Sequence, residues 1–283
     1  MGAQQIANNL SLINWTVLVA LAIGSFAVVV FARLRTPATK GFLTFTAACA
    51  VGWGLLAYLS DTALVLPAGA IVQGSPVIVD PGFDVPRRSA LVVFLVFATL
   101  TTLVLARGGR ARIPGTIGIL AGVLVLLLGG LTWGGSPAGV AGLSLQLLVL
   151  TLATGGVFAA MILGHWYLVT PKLPEGPLVL VSRRLLWVVA LQVVLFMTWV
   201  GLGIGPGATG GPFAALFGSW ALFVWLRLIV GLVFPLVVSW AALQTARSRS
   251  MESATGLLYI NVGSIAAGTI LAAGLYFGAG LLV

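Results

Sequence analysis

INWTVLVALAIGSFAVVVFARLR, Ile13 to Arg35, holds no charged side chain from Ile13 to Ala32 and then two arginines, Arg33 and Arg35. At ~1.5 Å per residue, an apolar helix of that length crosses a hydrocarbon core of about 30 Å. The basic end belongs at a headgroup layer, where cytoplasmic loops concentrate Lys and Arg.

The same pattern recurs along the chain. Charge, proline and glycine bound apolar stretches near 13–32, 41–60, 89–106, 113–133, 139–166, 184–204, 213–243 and 256–281. These lengths lack the alternation of barrel strands, and lipid forbids open strand edges, so all eight are expected to be helices. The predicted fold is an all-α, polytopic integral membrane bundle forming a single transmembrane domain over 1–283.

Eleven of the fourteen Lys and Arg fall in alternate gaps: Arg33, Arg35 and Lys40; Arg107, Arg110 and Arg112; Lys172, Arg183 and Arg184; Arg247 and Arg249. Arg87 and Arg88 occupy an intervening gap beside Asp61, Asp80 and Asp84, and Arg227 lies inside a span. The charge bias puts the basic gaps on the cytoplasmic side of a plasma (inner) membrane and both termini outside.

Composition agrees. Apolar residues make up 60% and charged residues 7%, whereas about a quarter of a soluble domain is charged. The mean hydropathy is +1.17. The net charge of +9 is spread over short loops facing anionic lipid, which argues against nucleic acid. The uncharged stretch from Met1 to Asn14 lacks a signal peptide's basic region, so the first span is expected to be retained. Cys49, the single cysteine, allows no internal disulfide or thiolate metal cluster.

Trp15, Trp133, Trp199 and Trp220 fall near expected outer ends, and Trp166, Trp187 and Trp240 near inner ends, as interfacial belts would place them. The long outer loop, 61–88, carries Pro67, Pro76, Pro81 and Pro86. A hairpin or cap is expected within Ala68–Val79, and an Asp61 pair with Arg87 or Arg88 is expected at the rim of the loop base. No residue-level repeat joins the two four-span halves. Small residues four apart in the last span, Gly263/Ala267 and Ser264/Gly268, predict close packing inside the bundle.

Three groups of residues are candidates for chemistry. Arg227, placed about 14 residues from the outer end of span seven, is expected some 20 Å deep at ~1.5 Å per residue. There it requires acceptors, because a membrane-centred Arg costs at least ~2.5–3.5 kcal/mol. No carboxylate lies in an expected span, which leaves Gln146, Gln192, Thr198, a backbone carbonyl, water or a ligand. Helical side-chain direction points Arg227 toward Trp220 and Phe223 and away from the Gly231 carbonyl that Pro235 leaves free.

The second group is His165, Trp166 and Tyr167 in GHWYLVTPKLPEGPL. The lone histidine suits proton handling or a quinone oxygen, but it cannot supply a bis-histidine haem or a multi-His zinc site. The third is Asn261 with Tyr259 and Ser264, of which Asn261 and Ser264 share a face. No metal site is expected, and the sequence names no cofactor.

Three functional readings stay open. The first is a haem-free, quinone-like lipophile-binding subunit of a redox or respiratory assembly, with Arg227 and Gln192 lining the cavity and His165 moving protons. The second is an anion or small-solute permease, and the third a scaffold without ligand. An enzyme acting on lipid is a lesser alternative. The partners implied are the bilayer, a lipophilic ligand and other membrane subunits.

Overall fold

The computed structural model describes residues 2–64, 72, 75–170, 172–208 and 210–283. Among these there are no strands, and eight helices are long and apolar enough to cross a membrane. A short helix, α1 (Gly2–Asn8), precedes α2 (Leu10–Arg35), α3 (Lys40–Ala63), α4 (Asp84–Ala106) and α5 (Arg112–Trp133). Then come α6 (Pro137–Val169), α7 (Gly176–Leu202), α8 (Ala221–Leu228), a π-helical turn (Ile229–Val233), α9 (Phe234–Arg247) and α10 (Met251–Ala279). The segment from α8 through α9 forms one span.

Local chemistry explains the ends. Thr39 caps α3 by accepting from Phe42 N, and Ser136 caps α6 by accepting from Gly139 N ahead of Pro137, where the missing N–H costs nothing. In α7, Pro177 similarly falls in the first turn. That helix begins at Gly176 rather than near 184, so Arg183 and Arg184 ride on it instead of preceding it. Span seven begins at Ala221 rather than 213, because the glycine-rich stretch from 203 is a loop with one 3₁₀ turn at Ala214–Leu216.

α6 is the central helix. It packs against α2, α3, α5, α7 and α10, and its 33 residues span roughly 50 Å at 1.5 Å per residue. α2 and α6 meet in backbone contact at Gly24 and Gly155, where a Cβ on either would strike the other helix's main chain. α2 to α5 close one side of α6, while α7, α8–α9 and α10 close the other. Large apolar side chains such as Leu55, Leu59, Leu124 and Val194 remain on the outside, the surface a bilayer would cover.

The two ends of the bundle differ in charge. One, called here the basic face, carries the described connecting residues 36–39, 107–111, 170, 172–175 and 248–250; the opposite face carries 64, 72, 75–80, 134–136, 203–208 and 210–220. In the run expected to form a hairpin or cap, residues 68–71, 73 and 74 lie outside the described residues. Val72 N donates to Val77 O at 3.1 Å, and Val77 and Val79 are buried. In α10, Ser264 and Gly268 face inward, while Gly263 faces open space.

Candidate functional site

The tightest polar cluster surrounds Arg87 at the opposite face. Because α3 runs on to Ala63 and α4 begins at Asp84, both Asp61 and Arg87 are helical. Arg87 Nε donates to Asp61 Oδ2 at 2.8 Å and its Nη2 to Asp61 Oδ1 at 3.1 Å, a bidentate pair. Its Nη1 donates to Asp84 Oδ1 and Thr132 Oγ1, both at 2.8 Å. Arg88 Nε donates to Asp61 Oδ1 at 2.8 Å, and Trp15 Nε1 to Asp61 Oδ2 at 2.8 Å. The Arg87 guanidinium also lies 4.6 Å from the Trp133 ring centroid.

This corrects two expectations. The pair is no rim contact, since Asp61 and Arg87 are both 0% exposed. Trp15, Trp133 and Trp199 are buried rather than interfacial. For Trp15 and Trp133 the reason is that an indole supplies Asp61 with a donor and Arg87 with a π face, which lipid would leave unused. Trp187 and Trp240, by contrast, are exposed.

The second buried arginine is Arg227. It lies six residues into α8, which puts it about 9 Å from the helix start rather than 20 Å. Its Nη2 donates to Gln192 Oε1 at 2.9 Å and its Nη1 to Gly231 O at 3.0 Å. Gln192 Nε2 in turn donates to Val149 O at 2.9 Å. Arg227 Nε is buried without a hydrogen-bond partner among the described residues, and no carboxylate pairs with this side chain there. The expected lean toward Trp220 and Phe223 is wrong. With Pro235 unable to donate, the Gly231 carbonyl lies free, and the π turn widens the helix where Arg227 reaches it. Space comes from Gly268 on α10, which packs so close that a Cβ on Gly231 would fall 2.6 Å from its Cα.

The other expected residues form separate contacts. Asn261 Nδ2 donates to Ser239 Oγ at 2.8 Å and Asn261 Oδ1 accepts from Ser264 at 3.3 Å, tying α10 to α9. His165 is exposed near the basic face, its Nδ1 3.4 Å from the Tyr259 hydroxyl. The Trp166 ring lies over Gly41, and Tyr167 OH donates to Pro174 O at 2.6 Å. Three consecutive residues thus serve three contacts. Gln146 accepts from Val283 N at 3.3 Å and is not among the hydrogen-bond partners of Arg227. At the basic face, Arg249 Nε donates to Glu175 at 2.9 Å, and that bond holds the Glu175 carboxyl below its ordinary range.

A cleft of about 420 Å³ opens between α2, α6 and α7, bordered by Ala27, Phe31, Gly156, Val181, Arg184 and Leu185 among others. Arg184 is exposed, with its guanidinium 5.9 Å from the Phe31 ring centroid, one turn from the end of α2 at Arg35. Neither Arg227 nor Gln192 borders this cleft. Sequence reading missed it because Phe31, Gly156 and Arg184 are far apart in the chain; the one local signal was the adjacent glycines Gly155 and Gly156 in the middle of α6. Among the described residues no group of His, Cys, Asp and Glu could hold a metal ion.

Fold and surface define the class: an integral membrane helical protein of eight apolar spans. The chain matches no protein-family model, no curated protein and no solved structure.

Proposed function

We propose that this chain is a haem-free membrane subunit that takes a quinone-like lipophile sideways from the bilayer into the α2–α6–α7 cleft. The observation that carries the reading is a large apolar cleft with a cation and an aromatic ring at one end. Ligand sites are typically concave, mostly apolar and supplied with few polar groups. An isoprenoid tail suits the apolar wall of Val181, Leu185 and Val188, while Arg184 donates to a ring carbonyl beside Phe31. The described chain lies almost wholly in its spans, so electron transfer would depend on partner subunits of a redox assembly. The basic face is assigned to the cytoplasm of a plasma membrane, and both termini to the outer side.

Mass spectrometry of lipophiles retained in mild detergent tests this. A Cβ on Gly156 meets only the Leu185 side chain at 3.7 Å, an ordinary contact, so Gly156→Leu directs its bulk into the cleft that Gly156 borders. Wild type is expected to retain a prenylated quinone that Gly156→Leu loses and Arg184→Gln binds weakly. Equal retention by all three sinks the reading.

The permease alternative rests on a different observation, the charge of Arg227 without a carboxylate. Its test is anion flux in proteoliposomes, expected to be lost in Arg227→Gln.

A further inference from the structure

On the opposite side of α2 from the cleft, the basic face holds a second built feature. A recess of about 10 Å³, room for one oxygen atom, lies where α2, α4 and α5 meet. Arg33, Arg110 and Arg112 border it, together with Thr101 and Ala111. α5, a helix of 22 residues, starts here with Arg112 in its first turn, no acidic residue in that turn and no side-chain cap. Three cations thus converge on the positive end of a helix dipole, an arrangement that an anion relieves and a cation worsens.

Two buried atoms point the same way. Thr101 is 1% exposed, and its hydroxyl has no hydrogen-bond partner among the described residues. Arg33 Nε is likewise buried and without a hydrogen-bond partner among the described residues, while its Nη2 donates to Gly109 O at 3.2 Å, which ties the side chain to the loop ahead of α5. None of the three arginines forms an ion pair among the described residues. A buried donor left unmade is costly, and here the Thr101 hydroxyl and the Arg33 Nε–H both belong to side chains that border one recess.

We propose that this recess is a phosphate-binding site, taking one phosphate oxygen onto Thr101 and Arg33 while Arg110 and Arg112 hold the remaining oxygens at the mouth. A tetrahedral oxyanion fits better than a carboxylate, because donors approach from three elements rather than from one plane. The phosphate arrives either as a phosphomonoester lipid headgroup or as free phosphate. This site is independent of the cleft and its lipophile.

The test is native mass spectrometry of the full chain with phosphatidic acid against phosphatidylcholine, with and without millimolar inorganic phosphate. Arg110 and Arg112 are exposed, so Arg110→Gln/Arg112→Gln is expected to fold, and Lys172→Gln/Arg247→Gln removes equal charge from the same face elsewhere. Phosphatidic acid is expected to bind preferentially, with affinity about ten-fold lower or less in Arg110→Gln/Arg112→Gln, unchanged in Lys172→Gln/Arg247→Gln, and reduced in Thr101→Val. Displacement by inorganic phosphate identifies free phosphate as a ligand, and retention of lipid alone identifies the headgroup. No preference for phosphatidic acid together with no phosphate binding, or equal loss in the two double variants, overturns the proposal.

Discussion

Two arginines are buried in this bundle, and their surroundings are opposite. Arg87 meets two carboxylates, a hydroxyl and two indole faces, whereas Arg227 meets an amide and a main-chain carbonyl. Around Arg87 the formal charges of Asp61, Asp84, Arg87 and Arg88 cancel; around Arg227 nothing cancels. A buried charge paired with ions of the opposite sign is a structural joint, and removing one partner strands the other. A buried charge held only by neutral dipoles strands no ion when it is removed. The contrast therefore separates a residue the fold needs from one the fold merely accommodates.

The largest expected effect tests the first half of that contrast. Arg87→Leu leaves the buried Asp61 carboxylate with only Arg88 and the Trp15 indole, and should lower unfolding free energy in denaturant titration by about 3–5 kcal/mol. A loss below 1 kcal/mol would make the network ornamental. Next comes Gly231→Leu, which drives side-chain atoms into the Gly268 backbone and should cost about 1–3 kcal/mol or more by overpacking. Unchanged stability there would mean that the π turn and α10 separate freely at this crossing.

Arg227→Leu is expected to change stability by no more than about 1 kcal/mol, since the lost hydrogen bonds are offset by the desolvation no longer required. Destabilisation equal to that of Arg87→Leu would erase the distinction between the two sites. The smallest effect concerns the exposed Arg249–Glu175 pair. Glu175 has its carboxyl depressed by Arg249, so its contribution is present above the ordinary glutamate range and disappears as pH falls through the lowered value. Arg249→Gln should lower melting slightly at neutral pH, leave it unchanged below the lowered glutamate range and so flatten the acid-side dependence; a large neutral-pH drop would show that the pair locks the basic face.

How much was legible differs between the same two regions. Gln192 was one of several acceptors that elimination left open for Arg227, beside Gln146, Thr198 and main-chain carbonyls, and packing chose it together with the Gly231 carbonyl. The direction of that arginine was not legible, because the ordinary lean toward the helix N-terminus was overridden by a carbonyl freed by Pro235 and exposed by a π turn. Asp61 and Arg87 were recognised as a pair but placed at a rim, since a boundary drawn at the last apolar residue excludes ions that bury one another. Trp15 and Trp133 were assigned to the interface for a related reason: their position along the span is sequence, while their facing toward Arg87 is packing.

The cleft and the phosphate recess were invisible at that level. Each joins residues from three helices, and nothing in the local pattern of Phe31, Gly156 and Arg184, or of Arg33, Thr101 and Arg112, announces their neighbours.

By itself the sequence determined that eight helices form, because an apolar run without water must satisfy its own backbone and only a helix does so within one segment. It also determined the clustering of charge between alternate spans. The tertiary structure decided which polar groups are spent on one another and which are left facing a cavity. That outcome depends on the rotation and close approach of helices at contacts such as Gly24 with Gly155 and Gly231 with Gly268, which packing sets and hydropathy does not record.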